Sequence, residues 1–270
     1  MLQLVEVGKK FTPESLCIGI TIESLSLSFP PESFTMIAGS GRSGKTTLRQ
    51  LINGSLPPDT GRIYLDGQDI TDWPENRRAR YIGQVFANPA QGTIPELTVM
   101  ENLRLARRYH WYSGWRCHGS RPEKLELSRE LELAGLDLVS RKDRPVAELS
   151  SGRRQLLSLL MAADAGRRLL LLDDHTAMLD PLEAEAVLRL TLDLIARHRL
   201  TAIMTTASLA QAIRLGNRLL LMHHGRVILD SSGIQKKKLH SENLLERLQE
   251  ERRLDCVDIN VAAVLEKNYI

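Results

Sequence analysis

Short apolar runs alternate along this chain with longer stretches in which apolar residues recur at every third or fourth position. The short runs predict buried strands, and the wider spacing predicts amphipathic helices. The predicted strands are Phe34–Ala38, Gly61–Asp66, Arg168–Asp173, Thr201–Thr205, Arg218–Met222 and Arg226–Asp230. The predicted helices are Thr46–Asn53, Glu101–Trp111, Glu123–Ala134, Gly152–Ala163, Leu182–His198 and Ser241–Arg253.

The order of these elements predicts the fold class. Strands that alternate with helices indicate an α/β fold with a mostly parallel sheet covered on both faces, here with an antiparallel β edge at Gly61–Asp66. A helical stretch over about 85–165 separates the first core strand from the second and is long enough to form a subdomain. We therefore predict one domain over residues 1–270, with this inserted α-helical subdomain and a short C-terminal extension over about 240–270.

The overall charge argues against nucleic acid as a partner. The 36 basic and 33 acidic residues leave a formal charge of +3, and aromatic residues make up only 4% of the chain. The sequence therefore offers neither a strongly positive field nor a set of side chains on which bases would stack.

Cysteine usage and hydropathy indicate a reduced compartment and a chain without its own membrane segment. Cys17, Cys117 and Cys256 are odd in number and far apart, which is untypical of a disulfide framework. Apolar runs such as Leu169–Leu172 are too short to span a bilayer, and Met1–Lys10 lacks the apolar core of a signal peptide. We expect a soluble chain that reaches a membrane only through a partner.

A glycine-rich segment lies between the first core strand and the first predicted helix. It fits the phosphate-binding pattern G-x-x-x-x-G-K-[ST]. Its glycines let backbone N–H groups point at phosphate oxygens, and the helix amino terminus adds partial positive charge. We expect Lys45 to reach the β and γ phosphates of a nucleotide and Thr46 to hold Mg²⁺. The segment consists of Gly39, Ser40, Gly41, Arg42, Ser43, Gly44, Lys45, Thr46 and Thr47.

A second signal lies at the end of the next buried core strand. Four leucines, Leu169–Leu172, are followed by Asp173, which lies 128 residues after Lys45. Ligands of open α/β sheets bind at the carboxyl ends of the strands, which would bring Asp173 beside the glycine-rich loop. We expect its carboxylate to hold Mg²⁺ directly or through water.

With these motifs in place, the chain resembles the ATP-binding subunits of ABC transporters over nearly its whole length. Leu149–Gln155 (LSSGRRQ) resembles the family signature L-S-G-G-Q, and Asp174–Pro181 (DHTAMLDP) resembles the D-E-x-T-x-x-L-D-P stretch. The resemblance implies a P-loop NTPase core that binds ATP and Mg²⁺ and works as a head-to-tail dimer. It implies adenine stacking on Phe11, contact of Ser150, Ser151 and Gly152 with the partner's γ phosphate, and Asp174 as the catalytic base.

The same resemblance implies partners and a location. Gly92–Thr93 and Leu97–Leu103 look like the loop and helix that touch a permease. Three segments are similar in sequence to a branch of bacterial importer ATPases found with aromatic-amino-acid-type binding proteins. They are Leu156–Met161, Gly216–Leu219 and Gly225–Asp230. We therefore expect a membrane permease, a second ATP-binding subunit in a homodimer or heterodimer, and an extracytoplasmic binding protein. The chain would lie in the cytoplasm, peripheral on the inner face of the cell membrane.

Four departures from the family pattern fall on chemical positions. They are Asp174 where the family has glutamate, Ala207 where it has the switch histidine, Ala87 where it has the Q-loop glutamine, and Ser151 with Arg153 within the signature. Arg42, in place of a loop glycine, is a milder fifth departure. The retained residues bind nucleotide, whereas the altered ones act on the γ phosphate, so hydrolysis is expected to be weak or partner-dependent.

Three hypotheses follow from these features. The first is a transporter subunit with impaired hydrolysis that pairs with an intact ATPase chain. The second is a catalytically inactive nucleotide-binding protein with a regulatory or structural role. The third, a soluble ABC ATPase of DNA repair or translation, requires a long coiled coil or a second cassette, and the sequence shows neither.

Overall fold

The computed structural model describes residues 1–11, 21–108, 121–163 and 166–253. Ten strands are described: β1 (Leu2–Lys9), β2 (Ile22–Phe29), β3 (Phe34–Ala38), β4 (Thr60–Leu65), β5 (Gln68–Asp69), β6 (Ile82–Val85), β7 (Leu169–Asp173), β8 (Thr201–Thr206), β9 (Arg218–His223) and β10 (Arg226–Ser232). The helices are α1 (Lys45–Asn53), α2 (Glu75–Arg78), α3 (Val99–Arg108), α4 (Arg121–Ala134), α5 (Ser151–Ala162), α6 (Pro181–His198), α7 (Leu209–Arg214), α8 (Gly233–Lys237) and α9 (241–253).

The central sheet has six strands in the order β10-β9-β3-β8-β7-β6. All neighbours pair in parallel except β10, which is antiparallel to β9. Every residue of β3 and β8 is buried, as expected for parallel strands covered on both faces. The predicted α/β class with a mostly parallel sheet is therefore confirmed.

Alternate residues of the central strands face two different hydrophobic clusters. Leu170 and Leu172 pack into one cluster with α5 and α6, whereas Leu169 and Leu171 pack into the other with α1 and the antiparallel sheet. This period of two follows from the alternating direction of side chains along a strand. It explains why the four consecutive leucines before Asp173 are all buried.

A second sheet of four antiparallel strands has the order β2-β1-β4-β5. The sequence pattern predicted β4 but not β1 or β2. Register shifts interrupt the pairing of β1 with β2 after Leu4 and after Val7. Because such irregularities change which residues face the core, β1 lacks the regular alternation that marks a strand in sequence.

Arg78 joins this part of the fold to the end of α1. Its side chain is 1% exposed, and its guanidinium donates hydrogen bonds to the carbonyls of Leu51, Ile52, Thr71 and Trp73 over 2.7–3.0 Å. Burial lowers the pKa of Arg78 to about 10, which leaves the group charged at neutral pH. Four backbone carbonyls therefore compensate for the buried charge.

The segment between β6 and β7 is largely helical and contains α3, α4 and α5. The helices predicted from periodicity are confirmed within a few residues where the structure describes them. Residues 109–111 of one predicted helix, residues 254–270 of the predicted extension and all three cysteines lie outside the described residues. Among the described residues, no helix is both long and apolar enough to span a membrane.

Candidate functional site

The glycine-rich loop connects β3 to α1 and encloses the ammonium group of Lys45. Gly44 stands at the helix amino terminus with φ 98°, a left-handed conformation that a side chain disfavours. The Lys45 Nζ donates to the Gly39 carbonyl at 2.7 Å, the Ser40 carbonyl at 3.0 Å and the Ser43 Oγ at 3.0 Å. Burial lowers the pKa of Lys45, and the carboxylates of Asp174 and Asp173 act in the opposite direction.

The other loop residues differ in their exposure to solvent. Thr46 is exposed in the first turn of α1, where its hydroxyl is available to a ligand, and Thr47 is buried beneath it. Gly41 and Arg42 are exposed at the loop tip. Arg42 adopts a left-handed backbone with φ 64°, where glycine is the least strained residue.

Asp173 ends β7 beside β8, and its carboxylate has two protein partners. The Thr205 Oγ1 donates to Oδ1 over 2.8 Å, since Thr205 is the residue opposite Asp173 in the parallel pair. The Nε of Arg49, on α1, lies 3.1 Å from Oδ2. The structure therefore places Asp173 next to α1, the helix that follows the glycine-rich loop, and adds an arginine that the motif does not include.

Asp174 occupies the position of the predicted base. Its backbone has φ 43°, and its N–H donates to the Thr205 carbonyl over 3.0 Å. The carboxylate accepts hydrogen bonds from the Thr206 Oγ1 and the Ala207 N–H, both at 3.4 Å. Burial raises the pKa of Asp174, while these two donors and the Lys45 charge lower it. The group is thus held by weak contacts close to Lys45.

Ala207 is exposed at the carboxyl end of β8 and has no side-chain polar group. The polar contacts in this region instead involve Gln211, which accepts from the Thr206 Oγ1 at 2.7 Å and donates to the Thr176 Oγ1 at 3.1 Å. A cavity of about 950 Å³ opens beside these residues and is lined by Asp174 and Ala207. Gln211 was missed at the sequence level because nothing in its neighbourhood marks it as part of a motif.

The signature segment begins α5 and is engaged within the chain. Ser150 caps the helix by accepting a hydrogen bond from the Arg153 N–H. The Ser150 Oγ donates to the Glu183 Oε1 at 2.6 Å, and the Gly152 N–H donates to the Glu183 Oε2 at 2.8 Å. Ser151 is exposed, and the Arg153 side chain donates to the Leu136 carbonyl at 2.8 Å.

Two further predicted positions lie near the ends of other strands. Ala87 comes two residues after β6, and the buried Gln155 fixes this strand end by donating to the carbonyls of Phe86 and His175, each at 2.8 Å. Phe11 is partly buried two residues after β1. The structure thus brings Lys45, Asp173 and Asp174 together, while Glu183, which accepts hydrogen bonds from Ser150 and Gly152, lies on α6.

Residues 22–177 match the family described as ABC transporter. The chain belongs to this family. It is 36% identical over 250 residues to a tyrosine transport ATP-binding protein of Clostridioides difficile, covering 92% of this chain and 99% of that protein. It is 34% identical over 215 residues to a phosphonates import ATP-binding protein of a Ruegeria species, covering 77% of this chain and 82% of that protein.

Solved structures show the same fold. An ATP-binding cassette of an ABC transporter in its ADP conformation superposes with a TM-score of 0.74 at 25% identity, covering 92% of this chain and 97% of that one. A dimeric cassette in a post-hydrolysis state with ADP and phosphate gives a TM-score of 0.72 at 23% identity, covering 86% and 98%. The predicted resemblance to ABC transporter ATP-binding subunits and the P-loop NTPase fold are thereby confirmed.

Proposed function

We propose that this chain binds Mg-ATP within an ABC importer and hydrolyses it weakly without a better-equipped second ATP-binding subunit. The observation that carries the proposal is the contrast between two parts of one site. The loop holds Lys45 with three hydrogen bonds, whereas the position next to the Asp174 carboxylate is an alanine. Binding groups are retained and a group that acts on the γ phosphate is missing.

Nucleotide binding follows from the loop and the helix that it begins. The amino terminus of α1 carries partial positive charge and unpaired N–H groups, which favour phosphate oxygens. The Lys45 ammonium would exchange its hydrogen bonds with loop oxygens for stronger ones to the β and γ phosphates. Phe11 would supply the aromatic surface for adenine, and Ser150 and Gly152 would face the nucleotide of the other subunit.

The donor set near the loop suits Mg²⁺ by its chemistry. The hydroxyl of Thr46 and the carboxylate of Asp173 are hard oxygen donors of the kind that this ion prefers. When bound, Mg²⁺ supplies neutralisation of the charge that develops on the phosphate oxygens. These two residues are the ones that would hold it.

Asp174 is the group that would accept a proton from attacking water. Its carboxylate is one methylene shorter than a glutamate, a difference of about 1.5 Å in reach. General-base catalysis requires hydrogen-bond distance to the water, and catalysis falls steeply with small displacements. Without a histidine at position 207, the chain has no imidazole there to contact the γ phosphate. Both changes point to slow hydrolysis.

The remaining parts of the proposal concern partners and location. We infer import rather than export, with a permease and an extracytoplasmic binding protein, because the relative from a Ruegeria species is described as an import protein. We infer a cargo of amino-acid type because the relative from Clostridioides difficile is described as a tyrosine transport protein. The chain would be peripheral on the cytoplasmic face of the membrane through the permease. Gly92–Thr93 and Leu97–Leu103 are the segments that we expect to touch it.

The test is Mg-ATP turnover by the purified chain, with Lys45→Ala as the blank. We expect wild-type turnover to lie barely above the blank. The double variant Asp174→Glu with Ala207→His should raise turnover at least tenfold over the wild type, because acid–base groups in general contribute about 10²–10⁴-fold. Ala210→His, with its imidazole three residues further along, serves as the matched control. Wild-type turnover clearly above the blank would contradict the proposal of impaired hydrolysis.

A second candidate is a nucleotide-binding protein with no hydrolysis at all, acting as a regulatory or structural partner of an intact subunit. The contacts of Glu183 favour it, because they already occupy the Ser150 hydroxyl and the Gly152 N–H. This candidate predicts that ATP binds and that the double variant stays at the blank, even after addition of an intact subunit.

A further inference from the structure

Arg49 lies one helical turn after Lys45, so both side chains emerge from the same face of α1. The Arg49 Nε is 3.1 Å from the Asp173 Oδ2, and the two side chains are only 12% and 24% exposed. The contact is an ion pair, since the Nε–H is not aligned on the oxygen for a hydrogen bond. An arginine therefore stands at the carboxylate that the motif assigns to a metal ion.

The surroundings of Arg49 hold its guanidinium near Asp173. Its Cζ lies 5.9 Å from the centre of the Phe86 ring, on the face that attracts cations. Arg49 lines a small cavity with Leu48, Leu172 and Ile203. A guanidinium stays protonated at any physiological pH and is less strongly hydrated than an ammonium, so it tolerates this setting.

The pair changes the charge of the site. Lys45 and Arg49 contribute two positive charges, and Asp173 and Asp174 contribute two negative charges, so these four groups are neutral together. Without Arg49 the same site would carry one negative charge, which would attract a divalent cation. In addition, the Thr205 hydroxyl already engages the other oxygen of Asp173. Mg²⁺ must therefore displace or share a carboxylate that has two protein partners.

We propose that Arg49 is a resident cation of the nucleotide site, which makes ATP binding by this chain largely independent of divalent metal. The guanidinium takes over part of the neutralisation that Mg²⁺ would supply, and it holds Asp173 in place. The inference rests on the proposed binding of ATP by the loop. It deepens that proposal by naming free nucleoside triphosphate as a ligand and Arg49 as a positioning residue.

The experiment measures binding of a non-hydrolysable ATP analogue by calorimetry, once with Mg²⁺ and once with EDTA. We expect the wild-type Kd to change by less than about threefold between the two buffers. Arg49→Met should bind at least about tenfold more weakly in EDTA than in Mg²⁺, which corresponds to roughly 1.4 kcal/mol. Arg144→Met, an exposed arginine of the helical segment, is the control and should behave as the wild type.

Arg49→Gln provides a second test if the methionine variant does not fold. It removes the charge and keeps a polar side chain. A wild-type Kd that rises tenfold or more in EDTA, together with the same ratio in both Arg49 variants, would overturn the inference and leave the proposed function intact. Absence of analogue binding to the wild type in both buffers would instead overturn the proposed function, and the inference with it.

Discussion

The hydroxyl of Ser150 donates to the carboxylate of Glu183 over 2.6 Å, and the same carboxylate accepts from the Gly152 N–H over 2.8 Å. A negative charge at this position satisfies a helix N–H group and interacts favourably with the positive end of α5. A Cβ at position 152 would lie 2.4 Å from the Glu183 Cδ, so glycine is needed for this approach. The contact fastens the start of α5 to the first turns of α6.

Replacing Glu183 by alanine should therefore lower the free energy of unfolding. Loss of the capping carboxylate is expected to cost about 1–2 kcal/mol. Glu185→Ala, two residues further on α6 and 71% exposed, is the control and should change stability by less than about 0.5 kcal/mol. Urea unfolding measures both variants. Equal losses in the two would show that the contacts of Glu183 contribute nothing special.

Arg78→Met should destabilise the chain more strongly. The substitution leaves the carbonyls of Leu51, Ile52, Thr71 and Trp73 without their donor in a buried setting. We expect a loss of about 2–4 kcal/mol. The neighbouring Arg77, whose guanidinium lies 3.8 Å from the centre of the Trp73 ring, provides a comparison, and Arg77→Met should cost less than about 1 kcal/mol. Thermal denaturation that ranks the two variants the other way would contradict this account.

Lys236 should make stability depend on pH in the alkaline range. It is 4% exposed and donates to the carbonyls of Leu215 and Gly216, and burial lowers its pKa from 10.5 to about 8. Between these two values the unfolded chain binds more protons than the folded chain, so this residue adds stability as the pH rises from about 8 toward 10.5. Below about pH 8 the gain is absent.

The test compares urea unfolding at about pH 7 and about pH 10. Lys236→Met should lose this contribution to the alkaline gain, whereas Lys237→Met, an exposed neighbour, should keep it. Identical pH dependence in the two variants would count against the perturbed titration of Lys236.

Arg42→Gly should stabilise the chain. Arg42 is exposed and has φ 64°, a conformation that costs a residue with a Cβ about 1–2 kcal/mol. After the larger chain entropy of glycine in the unfolded state is subtracted, a gain of about 0.5–1 kcal/mol remains. Arg42→Ala keeps the Cβ and is expected to give no gain. Chemical denaturation of the two variants decides between backbone strain and a favourable role of the arginine side chain.

Much of the fold could be predicted from sequence because its strongest signals are local. The buried strands β3, β7 and β8 are short apolar runs, and the loop before Lys45 has a fixed spacing of glycines. The prediction that Asp173 lies beside the glycine-rich loop followed from the rule that ligands bind at the carboxyl ends of parallel strands. These inferences needed no knowledge of which strands are neighbours.

The pairings between distant residues could not be predicted in the same way. Arg49 meets Asp173 across 124 positions of sequence, Glu183 meets Gly152 across 31, and Arg78 meets Leu51 across 27. In the sequence, Arg49, Glu183 and Arg78 each look like an ordinary charged residue of a helix. Their roles depend on the distance between elements, which hydrophobic periodicity does not encode. The functional roles of all the predicted site residues stay predictions.

The four hydrogen bonds of Arg78 have a mechanical consequence. One end of α1 lies at the phosphate loop, and at the other end the guanidinium fastens its last carbonyls to the segment that follows the antiparallel sheet. Because this buried, planar group has four fixed acceptors, α1 and the segment can move little relative to each other. A nucleotide that tilts α1 at the loop would therefore turn this segment with it. A small displacement at the phosphates would become a rotation of the segment that contains Arg78.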